Sequence, residues 1–376
     1  MTRTKYGEAH EQYRTRFREF LRQEVVPHQP RWIDQGCVDR DAWRKAGAGG
    51  FLCPWLPPDL GGVGGDFHHA CVINEELAAI YETGFAIKLH SDVVAPLIFA
   101  HGSDAQKRRW LPRCAAGEVV LAFALTEPGA GSDLGAISTA ARLDGDAYVV
   151  DGVKTYISTG MLFDLCLVAV RTGSGAALSS LSLLLVEGDA VGLRRRKLDK
   201  IGMWSLDTAE LTFEGCRVPV GHRLGEEGEG FRMLMKQLPR ERLIEAISAQ
   251  ASAEQVFRDT IDHVRRRVLF GQPQGKLQNT QFRLAECAAQ IEVGRAFIDR
   301  LVAGHAAASS RECAIAKLWT TQMLSTVVDV CLQQLGGAGY LAASPIGRAY
   351  VDARARHLAA GTDEVLKAII AHELRL

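Results

Sequence analysis

The stretch "LTEPGAGSDL", Leu125 to Leu134, concentrates groups able to hold an anion or the edge of a planar ring. Its glycines let backbone N–H groups converge, and Thr126 and Ser132 read as exposed hydroxyl donors. A decorated surface loop has the same composition. "KTYISTG", Lys154 to Gly160, ends a strand with Tyr156 and then hydroxyls, which suits either the wall of a flat cofactor or core packing. Acid–base chemistry is offered by "LPRERL", Leu238 to Leu243. At about 100° per helical residue, Glu241 falls within roughly 20° of Leu234 and Ser248 and about 60° from Leu238 and Ile244. Burial beside apolar residues raises a carboxyl pKa towards neutrality, which suits a base that must keep the proton it takes. The alternative is a charged helix start, begun or kinked by Pro239, with Glu241 tied to Arg240 or Arg242. Glu245, one turn later, competes for the same role, and Asp363 and Glu364 are weaker competitors. In "HLAAGTDEV", His357 to Val365, Thr362 reads as a helix cap with acidic residues in the first turn after it.

Other chemistries find no support. "GQPQGKL", Gly271 to Leu277, is too short for a phosphate-binding P-loop and has Leu277 where a magnesium-binding hydroxyl belongs. None of the glycine clusters, Gly61 to Gly65, Gly129 to Gly131 or Gly336 to Gly339, completes a dinucleotide-binding fingerprint. His68 and His69 are adjacent, so they do not share a helix face, and no Cys or acidic cluster is expected beside them; no metal site is assigned.

The elements that must position these residues fall into three regions. A chain of 376 residues is long for one core. Helical spacing, as in Phe17, Phe20, Leu21 and Val25, governs the first region, residues 1–119. Strand-length runs at Ala147 to Gly152, Asp164 to Val170, Leu181 to Glu187 and Ala209 to Gly215 mark a central β domain, residues 120–228. Helical periodicity returns over 229–376. Basic and acidic residues both total 44, which gives no field to draw the chain to nucleic acid or an anionic membrane. The nine cysteines include no C-x-x-C pair, as expected for reduced thiols, and no apolar run approaches a membrane span or signal core. The expectation is a cytoplasmic protein.

Taken in order, "LTEPGAGSD", "GVKTYISTG", "GEEGEGF", "RRRVLFGQPQGKLQNTQF", "CLQQLGGAGY" and "PIGRAYVDARARHLAAGTDEV" resemble the acyl-CoA dehydrogenase family, most nearly its long-chain and isovaleryl branches. The resemblance runs from about residue 10 to the C-terminus. It implies an α+β fold with a helical N-terminal domain, a central β-barrel-like domain and a C-terminal four-helix bundle. It also implies FAD as cofactor and α,β-dehydrogenation of an acyl thioester to the trans-2-enoyl product. Phe123, Leu125, Thr126 and Ser132 would lie against the flavin, Ser132 also near substrate, with Tyr156 and Ser158 beside the ring. Arg267, Phe270 and Gln278, with Gln333 and Gly337, would hold the adenine and pyrophosphate end from a neighbouring subunit, which requires a homodimer or homotetramer. Thr362 matches a position near the flavin phosphates, and Gly361 and Arg242 match substrate-side positions.

The family loop that often carries the catalytic carboxylate has Ala360 in that place. The resemblance to the isovaleryl and long-chain branches moves the base to Glu241 and leaves Ala360 to polarise the thioester carbonyl through its backbone N–H, which any residue but proline supplies. Acyl-CoA would be the substrate and an electron-transferring flavoprotein the electron acceptor. The alternatives are an acyl group carried on a carrier protein, a non-catalytic thioester-binding flavoprotein, and an oxidase or monooxygenase on the same fold.

Overall fold

The computed structural model describes residues 6–173 and 178–375. Its first region packs helices α1 (Glu8–Phe20), α2 (Gln29–Gln35), α3 (Arg40–Ala48), α4 (Phe67–Ala79), α5 (Ala95–His101) and α6 (Asp104–Ala115), with π-helical turns at Leu21–Val25 and Leu89–Val94. Phe17, Phe20, Leu21 and Val25 are all buried, in one core with Trp32 and Trp43.

A sheet follows, formed by β1 (Leu121–Ala124), β2 (Ala140–Asp144), β3 (Ala147–Ser158), β4 (Leu165–Arg171), β5 (Leu181–Glu187), β6 (Leu193–Lys197), β7 (Thr208–Pro219) and β8 (Arg223–Leu224). The strands lie in the order β6-β7-β3-β2-β4-β5-β8, with β1 parallel to β4. The four runs expected from sequence lie in β3, β4, β5 and β7. Two of them extend further than expected, because β3 and β7 pass through Gly152 and Gly215 with glycine-type φ angles of 149° and 59° where turns were expected. The charged strand β6, "LRRRK", shows no apolar alternation because it is the sheet edge; Arg194 and Arg196 pair across to Glu214 and Glu210 of β7.

The last region contains α7 (Gly230–Arg266), a short hairpin of β9 (Val268–Leu269) and β10 (Gln272–Pro273), then α8 (Gln278–Ala303), α9 (Ser310–Leu335), α10 (Pro345–Arg356) and α11 (Asp363–Glu373). Helix α7 is 37 residues long and Pro239 lies inside it. Of the two readings of Pro239, helix start or kink within a helix, the start is overturned: buried residues on both flanks hold α7 continuous despite the lost N–H bond. Among the described residues no helix is long and apolar enough to cross a membrane.

Two buried polar devices tie the sheet to its surroundings. His90, in the second π-helical turn, accepts from Leu121 N–H at 3.2 Å and faces the Cys114 carbonyl at 3.1 Å. This network assigns the proton to Nε2. Burial holds its pKa down to about 4, so the ring stays neutral and pins β1 to α6. The other device is Glu127 in the turn after β1. It accepts from Lys154 Nζ at 2.8 Å, Ser138 N–H at 2.7 Å and Thr139 N–H at 3.0 Å. Lys154, fully buried, also donates to the Leu125 carbonyl at 3.0 Å. Burial pushes the Glu127 carboxyl up, but the lysine and the N–H donors outweigh it and hold the pKa at about 2.

Lys154→Met leaves Glu127 buried without its cation, at an expected cost of about 3–5 kcal/mol, read as a lower Tm. Because the Glu127 pKa is depressed from 4.5 to about 2, the stabilisation is complete above the unfolded value and disappears as pH falls through the folded one. The deficit of the variant is therefore greatest at neutral pH and shrinks on acidification; a deficit independent of pH would refute the ion-pair account.

Candidate active site

The Leu125–Leu134 turn is held from below and open above. Besides the Glu127–Lys154 lock, Thr155 N–H donates to the Thr126 carbonyl at 2.9 Å. Thr155 is free to do so because β3 bulges between Lys154 and Ile157, where its register against β7 shifts. The bulge puts Tyr156 at φ 61° and turns its ring outward, 68% exposed, which corrects the core-packing reading. Ser132 is exposed, whereas Thr126 is half-buried, unlike the exposed hydroxyl expected. Phe123 and Leu125 are partly buried against the core that contains Leu121, Ala130 and Leu234. A Cβ added to Gly129 or Gly131 would meet nothing within 4 Å, so the crest of the turn stands clear of protein. Backbone donors and hydroxyls on an open crest beside an outward aromatic ring, with the Glu127 carboxylate already neutralised by Lys154, fit the polar edge of a planar cofactor.

Glu241 lies two turns after Leu234 on α7, and Leu234 shares the core beneath Phe123 and Leu125. It remains partly accessible and, among the described residues, makes no hydrogen bond or ion pair. Arg240 instead donates to Asp92 Oδ1 at 3.2 Å and lies over the Phe67 ring, and Arg242 donates through Nε to the Ala360 carbonyl at 3.4 Å. Burial, then the nearby Glu245 carboxylate, raises the Glu241 pKa to about 7 against the weaker pull of Arg242, Lys88 and Lys317.

Glu245 meets the opposite environment. Lys88 pairs with it from the segment before the second π-helical turn, and Arg356 of α10 donates to Oε1 at 2.7 Å and to Ser248 Oγ at 3.0 Å. Burial pushes this carboxyl up, but the two cations outweigh it and hold the pKa at about 2. A carboxylate so paired cannot act as a base near neutral pH. Asp363 is engaged by His357 at 2.8 Å and Gln322 at 3.2 Å, and Glu364 is exposed.

The 360–362 turn closes the site. Ala360 and Gly361 both have left-handed backbones, φ 55° and 95°. Thr362 caps α11 by accepting from Val365 N–H at 3.4 Å. Among the described residues neither Ala360 N–H nor Gly361 N–H has an acceptor.

Arg267, Phe270, Gln278, Gln333 and Gly337 form a separate corner. Gln274 donates to the Gln334 carbonyl at 2.9 Å and Thr280 to the Gln334 side chain at 3.1 Å, which joins the β9–β10 hairpin, the start of α8 and the end of α9. Arg267 sits just past α7 in extended backbone, exposed and, among the described residues, without an ion pair, and Phe270 is 92% exposed at φ 51°. Glu241 and Arg267 are roughly 39 Å apart along the axis at about 1.5 Å per helical residue.

At the start of α4, beside the Phe67 that lies under Arg240, one carboxylate, Asp66, accompanies His68 and His69, where no acidic cluster was expected. Asp66 caps α4, accepting from His68 N–H at 3.0 Å, and contacts His10 Nε2 at 3.1 Å and His69 Nδ1 at 2.9 Å. Gly7 N–H donates to His10 Nδ1 at 3.1 Å, which leaves the proton on Nε2 for Asp66. These bonds account for the cluster as a helix cap.

Sequence reasoning missed Lys88, Lys154, Arg356 and Lys317. Lys154 had a signal, since it and Glu127 both lie in the quoted motifs; the other three reach the site only through folding.

Three domain models match: acyl-CoA dehydrogenase N-terminal, middle and C-terminal domains, over residues 7–118, 122–216 and 228–375. The chain is 40% identical to the mitochondrial long-chain specific acyl-CoA dehydrogenase of Sus scrofa, covering 98% of this chain and 87% of that one. It is 35% identical to the isobutyryl-CoA dehydrogenase of Dictyostelium discoideum, over 98% of this chain and 89% of the other. Among solved structures, an acyl-CoA dehydrogenase from Geobacillus kaustophilus superposes with a TM-score of 0.96 at 44% identity, covering 100% of both chains.

The Glu241 titration, followed by 13C NMR of labelled glutamate, has its expected midpoint near 7. Glu245→Gln removes the like charge and leaves Lys88 and Arg356 unneutralised, so both effects lower that midpoint. An unmoved midpoint would show that Glu245 does not set it.

Proposed function

Because this chain belongs to the acyl-CoA dehydrogenase family, we propose that Glu241 is the base with which it removes the α-proton of an acyl-CoA. The protein is an FAD-dependent oxidoreductase that dehydrogenates acyl-CoA. When bound, FAD supplies the hydride acceptor, at N5, that takes the β-hydrogen with its electron pair. Glu241 takes the α-proton, the α,β double bond forms, and the trans-2-enoyl thioester leaves.

The observation that carries the assignment is the contrast within α7. Among the described residues Glu241 has no hydrogen-bond or ion-pair partner, it is partly accessible, and burial with the Glu245 charge raises its pKa to about 7, while Glu245 is locked between two cations. The α-proton of a thioester is too weakly acidic for a carboxylate alone, so the carbonyl needs polarising donors. Ala360 N–H, free of any described acceptor, is assigned that role. Leu125–Leu134, Tyr156 and Ser158 would hold the flavin against the α7 face.

We infer further that Arg267, Phe270, Gln278, Gln333 and Gly337 complete the FAD site of a second copy of the chain. The length of α7 supports this, since it holds the corner far from Glu241. So do the bare Phe270 and Tyr340, the latter 85% exposed, at the same end of the bundle. An arginine with a free fork of donors suits pyrophosphate oxygens. The electron acceptor on this reading is an electron-transferring flavoprotein, the designation carried by a similar structure from Acidaminococcus fermentans.

Glu241→Gln should keep FAD and lose about 10²–10⁴-fold in kcat. Desaturation at the parent rate by this yellow variant would eliminate Glu241 as base. For the shared site, Arg267→Ala should weaken FAD retention. Co-expression with Glu241→Gln should then restore activity, because one site of each mixed dimer receives both intact residues. Failure to complement would place both on one chain's site.

A further inference from the structure

We propose that Lys317, acting with Arg242, is a positioning residue: it holds the Ala360–Gly361 turn so that its free N–H groups face the thioester oxygen. The inference rests on the reading that Glu241 removes an α-proton and explains how a turn with no functional side chain at Ala360 stays aimed.

Lys317 lies in α9 and is fully buried. Of its three donors one is used well, on the Gly361 carbonyl at 2.8 Å; Asp363 Oδ1 is 4.0 Å away. His357 and Gln322 hold the other oxygen of that carboxylate, Oδ2, and Oδ1 lies beyond hydrogen-bond reach of the ammonium. A buried ammonium is costly unless well paired, and a methionine would fill similar space without that cost. Packing alone therefore does not explain a lysine here. What the ammonium supplies is directional: it draws in the carbonyl of Gly361 while Arg242 draws in that of Ala360.

The peptide geometry converts these two pulls into an orientation. Across a trans peptide, the carbonyl and the next N–H point in opposite directions. Turning the Ala360 and Gly361 carbonyls towards the cations thus turns the N–H groups of Gly361 and Thr362 away from them. At Ala360 the left-handed α conformation sets consecutive peptide units roughly parallel, so its own N–H follows that of Gly361. Successive N–H groups so aligned make a small anion-binding concavity. A left-handed alanine is disfavoured by sterics, and the clamp offsets that strain. Two positive charges behind the donors also favour negative charge developing on the thioester oxygen as the α-proton leaves.

The test uses FAD-loaded protein and a 3-thiaacyl-CoA. The sulfur of this analogue acidifies the α-position, and its deprotonated form shows a long-wavelength charge-transfer band against oxidised flavin. Lys317→Met should lower kcat about tenfold or more with little change in KM, and should raise the pH midpoint of the band by about one unit. Lys317→Gln, which keeps a donor without the charge, should fall between parent and Lys317→Met. If Lys317→Met does not fold, Lys317→Gln and Arg242→Gln provide the same two readouts. A variant that loses Tm or FAD affinity, but whose loaded fraction turns over and titrates as the parent does, would overturn the proposal and leave Lys317 a structural residue. The base assignment is tested separately: should Glu241→Gln desaturate normally, that reading fails whatever the band midpoint does.

Discussion

Two glutamates one turn apart on α7 feel opposite fields, and the site depends on that asymmetry. Lys88 and Arg356 both converge on Glu245, so neither cation neutralises Glu241 directly. Glu245 stays ionised between them, and its charge together with burial keeps the first carboxyl near neutrality. The arrangement solves a difficulty common to buried bases. A cation in direct contact would stabilise the carboxylate and make it too weak to take a proton, whereas burial alone would leave a protonated acid at working pH. Here Arg242, Lys88 and Lys317, none of them in contact with Glu241, pull against burial and the Glu245 charge and set the balance between these limits.

The same economy appears in the backbone. Ala360 presents only an N–H, so on the proposed reading the family position often occupied by a carboxylate is here reduced to a carbonyl-polarising donor. Base and donor arrive from different elements, α7 and the turn before α11, and Arg242 touches both by following Glu241 in sequence and reaching Ala360 in space. Leu89 of the π-helical turn packs against the same core as Phe123 and Leu125, while its neighbour Lys88 reaches Glu245. The core beneath the Leu125–Leu134 turn and the Glu241–Glu245 stretch of α7 are thus linked through one short segment of the helical N-terminal region. A π-helical turn at this joint agrees with the tendency of such irregularities to sit at functional sites.

Much of this was legible from residue order. Gly-rich turns, helical and strand periods and the Thr362 cap depend on neighbours within a few positions, and each lies where such local rules put it. The strand ends at Gly152 and Gly215 were misread because a glycine that relaxes a bulged strand looks, in sequence, like one that ends it. Tyr156 was ambiguous for a related reason: alternation along β3 gives its side only if the strand is regular, and the bulge reverses it. Pro239 misled in the same way, since a local breaker can be overridden by packing that the local sequence does not contain.

The sequence by itself determined which residues could do chemistry: Glu241 on a half-apolar helix face, hydroxyls in a glycine-rich turn, and an Ala360 that could contribute nothing but its backbone. Those properties follow from side-chain type and short-range geometry. Only the tertiary structure decided which of two equivalent-looking glutamates stayed unpaired, which cations surrounded them, and which N–H groups were left without acceptors. Charge interactions fall off with distance in space and strengthen with burial, and neither quantity exists until α7, α9, α10 and the Lys88 segment have packed together.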